Sequence, residues 1–404
     1  MLIHDLNQPD YNPPDCPEWA KETLRSLIQP FRTRMSCTQP VRVRAWAFAC
    51  AGVVACHVAN AASGAGAAAP RTPWRGGWGG NLSEPEKVLA CARETGFGAL
   101  MVSGAPEKLE SFARLARAAG IDTYFWISAT AGTSGLAQVM SPLEEESFQR
   151  LAADKDRRKT RYQSGGEPVA YREGKPGAPE VLYSRLLCFH RAEAVEPLRK
   201  QIRETLEACP SLAGVAFDYF GYQNYRSCEC PASRAQFDAW RREHPEVPAE
   251  RAEAQFSLET LVAFNNGLSA YVRSLRPGIR IVTHVYPVFL PDPLYGNRLD
   301  VDYCCQTVAW FFEPYWEAEK IARYTRTVVG EANKHLPGAR GIPFVGLYVG
   351  RPYADKSVAQ FEAELDCLFA AAGDTSLSIC GFADLVEHAE YRKALLRAVA
   401  RHTR

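Results

Sequence analysis

The sequence predicts a (β/α)₈ barrel, and three observations predict it. After Pro70 the chain repeats one unit, an amphipathic helix that ends at Gly and then a short, almost continuously apolar strand-like run. That alternation marks a parallel sheet covered by helices. The two long connections, 130–186 and 221–256, both follow the C-terminal ends of strands, where the loops of a barrel build its functional face. No glycine-rich dinucleotide fingerprint follows an early strand, which removes the usual reason for an open, doubly wound sheet.

The elements follow in order. Residues 71–80, dominated by Gly and Trp, supply strand one. Ser83-Glu84-Pro85-Glu86 has the spacing of a capping box with Pro in the first turn. Val88, Leu89 and Ala92 continue that helix to Gly96, and 97–103 (FGALMVS) is a strand. Helix 106–119 sets Leu109, Phe112 and Leu115 on one face, and strand 121–128 (IDTYFWIS) follows Gly120. Helix 190–209, with Leu198, Ile202 and Leu206 four apart, leads to strand 214–220 (GVAFDYF). Helix 257–276 turns Leu261, Phe264, Leu268 and Leu275 inward and stops at Pro277-Gly278, before strand 279–286. Strand 301–307 comes next, then helix 314–336 through Ile321, Tyr324, Val328 and Leu336, and strand 342–349. Helix 357–372 carries Phe361, Leu365 and Phe369. Strand 376–382 and helix 387–400 complete the series.

The net charge of +1 provides no field for nucleic acid. The basic run Arg157-Arg158-Lys159 reads as a solvated face. Residues 1–70 read as an N-terminal extension with an export segment, and 71–404 as the barrel domain. Arg42 and Arg44 precede an apolar stretch, 45–59, and an Ala/Gly-rich stretch, 60–70. This is the pattern of a secretory signal, with Ala59-Asn60-Ala61 as a cleavage-like triplet. Met35 would set that signal at the usual distance from a start. The apolar core is too short to span a membrane, so no transmembrane segment is expected after signal removal. The expected location is secreted or periplasmic. Val53-Val54-Ala55-Cys56 resembles a lipoprotein box and offers a lipid anchor at Cys56 as the alternative. Of 13 cysteines, nine follow Ala61. In an oxidising compartment some should pair, and the odd count leaves at least one unpaired within the chain.

Asp218 is the leading candidate for chemistry. Alternation puts Ala216, Asp218 and Phe220 on one side of its strand and Phe217 and Tyr219 on the other. A carboxylate there points at the barrel mouth, and the bland alternative is an ion pair that ties down a loop. The run Gly214-Val215-Ala216-Phe217-Asp218-Tyr219-Phe220-Gly221-Tyr222, with Cys228-Glu229-Cys230 and Phe237 after it, resembles a stretch of uncharacterised glycoside-hydrolase-like TIM-barrel proteins. Those are distant relatives of the α-amylase-type glycosidases. The resemblance is specific over 214–237 and looser over 74–400, through the order of elements. It implies that Asp218 is a nucleophile or a transition-state carboxylate. Gly221 stands where an Arg is common and Ser233 where a third Cys is common. The Glu that ends strand five in the α-amylase type is missing, since that strand ends Thr283-His284-Val285-Tyr286.

Glycoside hydrolysis needs two carboxyl groups in most families. Glu313 after strand six and Asp384 after strand eight are the foremost candidates for the second, ahead of Asp292 and Glu387. Glu313 and Asp384 also have plain readings, as a helix N-terminus residue and a helix cap. Tyr219, Tyr222, Tyr286, Trp310 and Tyr348 offer aromatic faces suited to the C–H faces of a sugar. His284 and Gln306 are candidates to bind its hydroxyls. Cys228-x-Cys230 and Cys304-Cys305 lack zinc-site spacing, and no Gly-x-Ser-x-Gly elbow occurs. No metal or cofactor is expected. The sequence therefore suggests a hydrolase acting on a poly- or oligosaccharide. The alternative is a carbohydrate-binding barrel that has lost its acid.

Overall fold

Eight parallel strands close into one barrel in strict sequence order, β1-β2-β3-β4-β5-β6-β7-β8. The computed structural model describes residues 72–128, 190–218, 231–285, 298–309, 318–331, 338–347, 349–350 and 356–403. Every element below belongs to one compact unit.

The strands are β1 (Arg75–Trp78), β2 (Ala99–Val102), β3 (Asp122–Ser128), β4 (Gly214–Asp218), β5 (Arg280–Val285), β6 (Tyr303–Ala309), β7 (Arg340–Gly346) and β8 (Leu377–Cys380). Helices α1 (Pro85–Thr95) and α2 (Pro106–Ala118) follow the first two strands, and α3 (Ala192–Ala208) precedes β4. After β4 come α4 (Pro231–Glu243) and α5 (Ala249–Leu275), and after β6 comes α6 (Ala318–Glu331). The chain ends with α7 (Val358–Ala372) before β8, then α8 (Phe382–Glu387) and α9 (Ala389–His402). Among the described residues no helix is long and apolar enough to cross a membrane.

Strand alternation divides the apolar side chains into two cores. Val215, Phe217, Cys304 and Val308 face outward and pack with the helices. Trp78, Met101, Tyr124, Ala216, Val282, Cys305, Ile342 and Phe344 fill the barrel interior. At the N-terminal end of the barrel, Trp74 stacks on Tyr303 with ring centroids 4.5 Å apart and an interplanar angle of 18°. A Cβ on Gly76 would lie 2.3 Å from the Trp74 ring. Glycine is therefore required where the indole crosses β1.

Several expectations change in detail. Ser83 does not cap α1. The cap position is Glu84, without a side-chain cap bond, and Ser83 N donates instead to Asn81 Oδ1 at 3.0 Å. Leu115 is 44% exposed. The buried stripe of α2 is Leu109, Phe112, Ala113 and Ala116, which is the i, i+3, i+4, i+7 face of a 3.6-residue helix. Helix α5 begins eight residues before the predicted start, because Ala252 and Phe256 pack with Trp240 and Val247 in a satellite core beneath α4. Strand β6 continues past Thr307 through a register shift to Ala309. Among the described cysteines, Cys91, Cys209, Cys304, Cys305 and Cys367 are free thiols, so the expected pairing is not met among these five. Adjacent Cys304 and Cys305 face opposite sides of β6. Burial pushes the Cys305 thiol up to about 12, which keeps it in the unreactive protonated form.

Candidate functional site

Asp218 ends β4 on the interior side, 5% exposed. Its neighbours come from the strands on either side. Ser128 of β3 lies in register with Asp218, and two residues earlier on the same strand face Trp126 Nε1 donates to Asp218 Oδ2 at 3.1 Å. From β5, His284 Nδ1 lies 2.7 Å from Asp218 Oδ1. From β6, Thr307 Oγ1 lies 3.0 Å from His284 Nε2. The imidazole lies flat on Phe344 of β7, with centroids 3.8 Å apart and planes 17° from parallel. Trp78 of β1 meets Trp126 edge-on at 5.9 Å and donates from Nε1 to Ser378 Oγ of β8 at 2.8 Å. Polar and aromatic side chains from β1 and from β3 through β8 thus form one layer across the upper barrel.

Both Asp218 oxygens are engaged, and one neighbour can only donate. An indole N–H has no acceptor capacity, so Oδ2 accepts. Asp218 is therefore gripped at both oxygens by neighbours from the adjoining strands. It is held in one orientation by an indole and an imidazole.

His284 was expected at the sugar, but it is 1% exposed with both ring nitrogens engaged inside the barrel. No ring nitrogen is left for a sugar hydroxyl. Gln306 is fully buried. It shares the strand face of Cys304 and Val308, which pack toward the helices. A one-residue step along β6 turns it away from the interior, because side chains alternate with period two. Asp384 lies in the first turn of α8, immediately after β8, partly buried. Gly381 caps this helix with φ 77°, and a Cβ there would meet Leu347 O at 1.7 Å. The last helix, α9, has His388 at its cap position, and Asp384 contributes its backbone carbonyl to His388 N. Glu313, Tyr219, Tyr222, Tyr286, Trp310, Tyr348, Asp292, Cys228 and Cys230 lie outside the described residues.

Trp126, Thr307, Phe344 and Ser378 were missed by sequence reasoning. A signal existed for two of them. Trp126 has the strand parity of Tyr124, and Thr307 that of Cys305, so each faces the interior with its neighbour. Among the described residues no group of three His, Cys, Asp or Glu side chains is placed to hold a metal ion.

No protein-family model matches the chain, and no curated protein matches it in sequence. Solved structures do match. A β-galactosidase from the psychrophilic Marinomonas ef1 aligns at 14% identity and TM-score 0.50, over 80% of this chain and 59% of that one. A β-galactosidase from Rahnella sp. R3 aligns at 10% identity and TM-score 0.48, over 83% and 57%. A GH5_18 protein from Streptomyces cattleya, in complex with Manβ1-4GlcNAc, aligns at 12% identity and TM-score 0.46, over 82% and 81%. The chain thus spans less than two thirds of either β-galactosidase. At such identities the likeness is one of architecture, and it agrees with the closed eight-stranded (β/α)₈ barrel described above.

Proposed function

We propose that this barrel is a glycoside hydrolase that cleaves an O-glycosidic bond in a poly- or oligosaccharide. Asp218 is its nucleophile or transition-state carboxylate, and Glu313 or Asp384 is the second acid. The observation that carries the reading is the Asp218 carboxylate, held at the C-terminal end of β4 by Trp126 and His284. A carboxylate at that end of a barrel strand belongs to the face where barrel enzymes do chemistry, and a glycosidase needs one that stays ionised. Tyr219, Tyr222, Tyr286, Trp310 and Tyr348 are the proposed sugar-facing aromatics.

The test is hydrolysis of a glycan panel by the wild type and by Asp218→Asn. Loss of turnover in the variant, with folding intact, supports the assignment. Equal turnover by the two defeats it. One observation favours the second reading, a carbohydrate-binding barrel without turnover: Asp218 is 5% exposed. Glycan binding that survives Asp218→Asn, with no hydrolysis by either form, selects that reading.

We also propose export, with residues 1–70 as the extension and signal region and the barrel released as a secreted or periplasmic protein. A lipid anchor at Cys56 is the alternative. Intact-mass analysis of the mature chain separates these outcomes, since an acylated Cys56 N-terminus differs in mass from a chain cut near Ala61.

A further inference from the structure

We propose that His284 is a positioning residue for Asp218, and that Thr307 fixes its imidazole in the Nδ1–H form. The functional half of this proposal rests on the reading of Asp218 as the reacting carboxylate; the structural half does not.

Proton accounting along four consecutive strands, β3 to β6, carries the argument. Trp126 Nε1 can only donate, so Asp218 Oδ2 accepts from it at 3.1 Å. An ionised carboxylate has no hydrogen to give, so the 2.7 Å contact between Oδ1 and Nδ1 requires the hydrogen on Nδ1. In a neutral ring Nε2 then carries a lone pair, and the Thr307 hydroxyl at 3.0 Å is the donor that meets it. A hydroxyl rotates to suit its partner, whereas the ring here does not. It is pressed against Phe344 at 3.8 Å and flanked by Trp78 at 5.9 Å. The tautomer of an imidazole is set by what its other nitrogen bonds. With a neutral ring beside an ionised carboxylate, the order Thr307→His284→Asp218 follows from the donors and acceptors.

The ring is 1% exposed and meets the carboxylate through Nδ1. Its part is to present the carboxylate in one rotamer, with Oδ1 already turned toward the β5 side. This explains why a histidine stands at the end of β5. A glutamine or serine there has no flat ring to stack on Phe344 while bridging β4 to β6.

Two measurements on the full chain test the proposal. The first is side-chain ¹⁵N–¹H correlation of the ¹⁵N-labelled protein, in which His284 is one of eight histidines and is assigned by its loss in His284→Asn. The wild type should show hydrogen on Nδ1 and a bare Nε2, the opposite of the form that free imidazole side chains prefer. Thr307→Val should shift the Nε2 resonance and leave Nδ1–H in place, and Asp218→Ala should abolish the Nδ1–H preference. Hydrogen on Nε2 in the wild type overturns the proposal. The second is kinetic and uses any glycan that the wild type hydrolyses. His284→Phe, shown to be folded by circular dichroism, should lower kcat about 100-fold with KM little changed, as expected for a misplaced reacting group. His284→Asn, which keeps an N–H near the Nδ1 position, should recover most of that loss. Equal loss in both variants overturns the positioning role. If the wild type hydrolyses nothing, the hydrolase reading fails by itself, and the tautomer measurement still decides the assignment of His284 and Thr307.

Discussion

The imidazole of His284 lies face to face with Phe344, with centroids 3.8 Å apart and planes 17° from parallel, and Phe344 meets Trp78 edge-on at 6.1 Å. Phe344 is 1% exposed and belongs to the interior core. Phe344→Ala should therefore cost about 3–5 kcal/mol of stability, read as a lower urea midpoint. It should also broaden the His284 ring resonances, since the ring loses the surface that fixes its plane. An unchanged midpoint would show that the layer does not depend on this contact.

Trp126→Phe keeps most of the ring and removes the N–H that reaches Asp218 Oδ2. A buried oxygen that loses its donor costs about 1–3 kcal/mol. Denaturant titration should show that loss. If turnover is found, it should fall with Trp126→Phe as well, because the carboxylate loses the indole that holds Oδ2.

Lys356 Nζ and Glu364 Oε2 form an ion pair at 2.5 Å with almost no solvent access. Gln360 Nε2 donates to the other Glu364 oxygen at 3.2 Å, and the Tyr391 hydroxyl donates to the Lys356 carbonyl. Burial pulls Lys356 below the ordinary lysine value. Lys356→Met leaves a buried carboxylate uncompensated and should cost about 3–5 kcal/mol. The double variant Lys356→Met, Glu364→Leu should recover most of it, because two apolar groups of similar size need no partner. Both are read as thermal midpoints at one pH.

Glu362 is bonded by Arg397, at 3.0 Å from Nε, and by Arg401, at 2.8 Å. The Arg397 hydrogen bond comes first among the causes that hold its carboxyl at about 2, against an ordinary 4.5. The folded value lies below the unfolded one, so this stabilisation is fully present above about pH 4.5 and fades as pH falls toward 2. Glu362→Gln should be slightly less stable than the wild type at pH 7, and the two should converge by pH 2. A gap that persists at pH 2 would assign the effect to packing. The arginines are solvent-exposed, so the gap at pH 7 should also narrow in high salt.

The barrel was legible because each unit repeats a periodic helix and an apolar strand. Failures fell where that signal thins. Helix α4 buries little beyond Ser233 and Trp240, too few apolar positions to betray a helix inside a polar connection. β1 is Arg-Gly-Gly-Trp, and its two glycines make room for the rings of Trp74 and Phe382, so its strand character comes from neighbours distant in sequence. At the site, alternation within one strand was enough to turn Asp218 inward. Recognising His284, Trp126 and Thr307 as its setting needs the register between strands, which single-strand patterns do not contain. Gln306 shows the same limit from the other side. It sits one residue from Thr307, and that single step turns it toward the helices.

Trp74 and Tyr303 cover the barrel floor at the end remote from Asp218, and the missing Cβ of Gly76 lets the indole lie across it. Above them the interior is packed solid by side chains such as Tyr124 and Phe344, so nothing passes through the barrel. Ligand preference can then drift through changes in the rim loops while the plugged floor goes on bearing the load. Selection on what the protein recognises and selection on whether it folds act on opposite ends of the same strands.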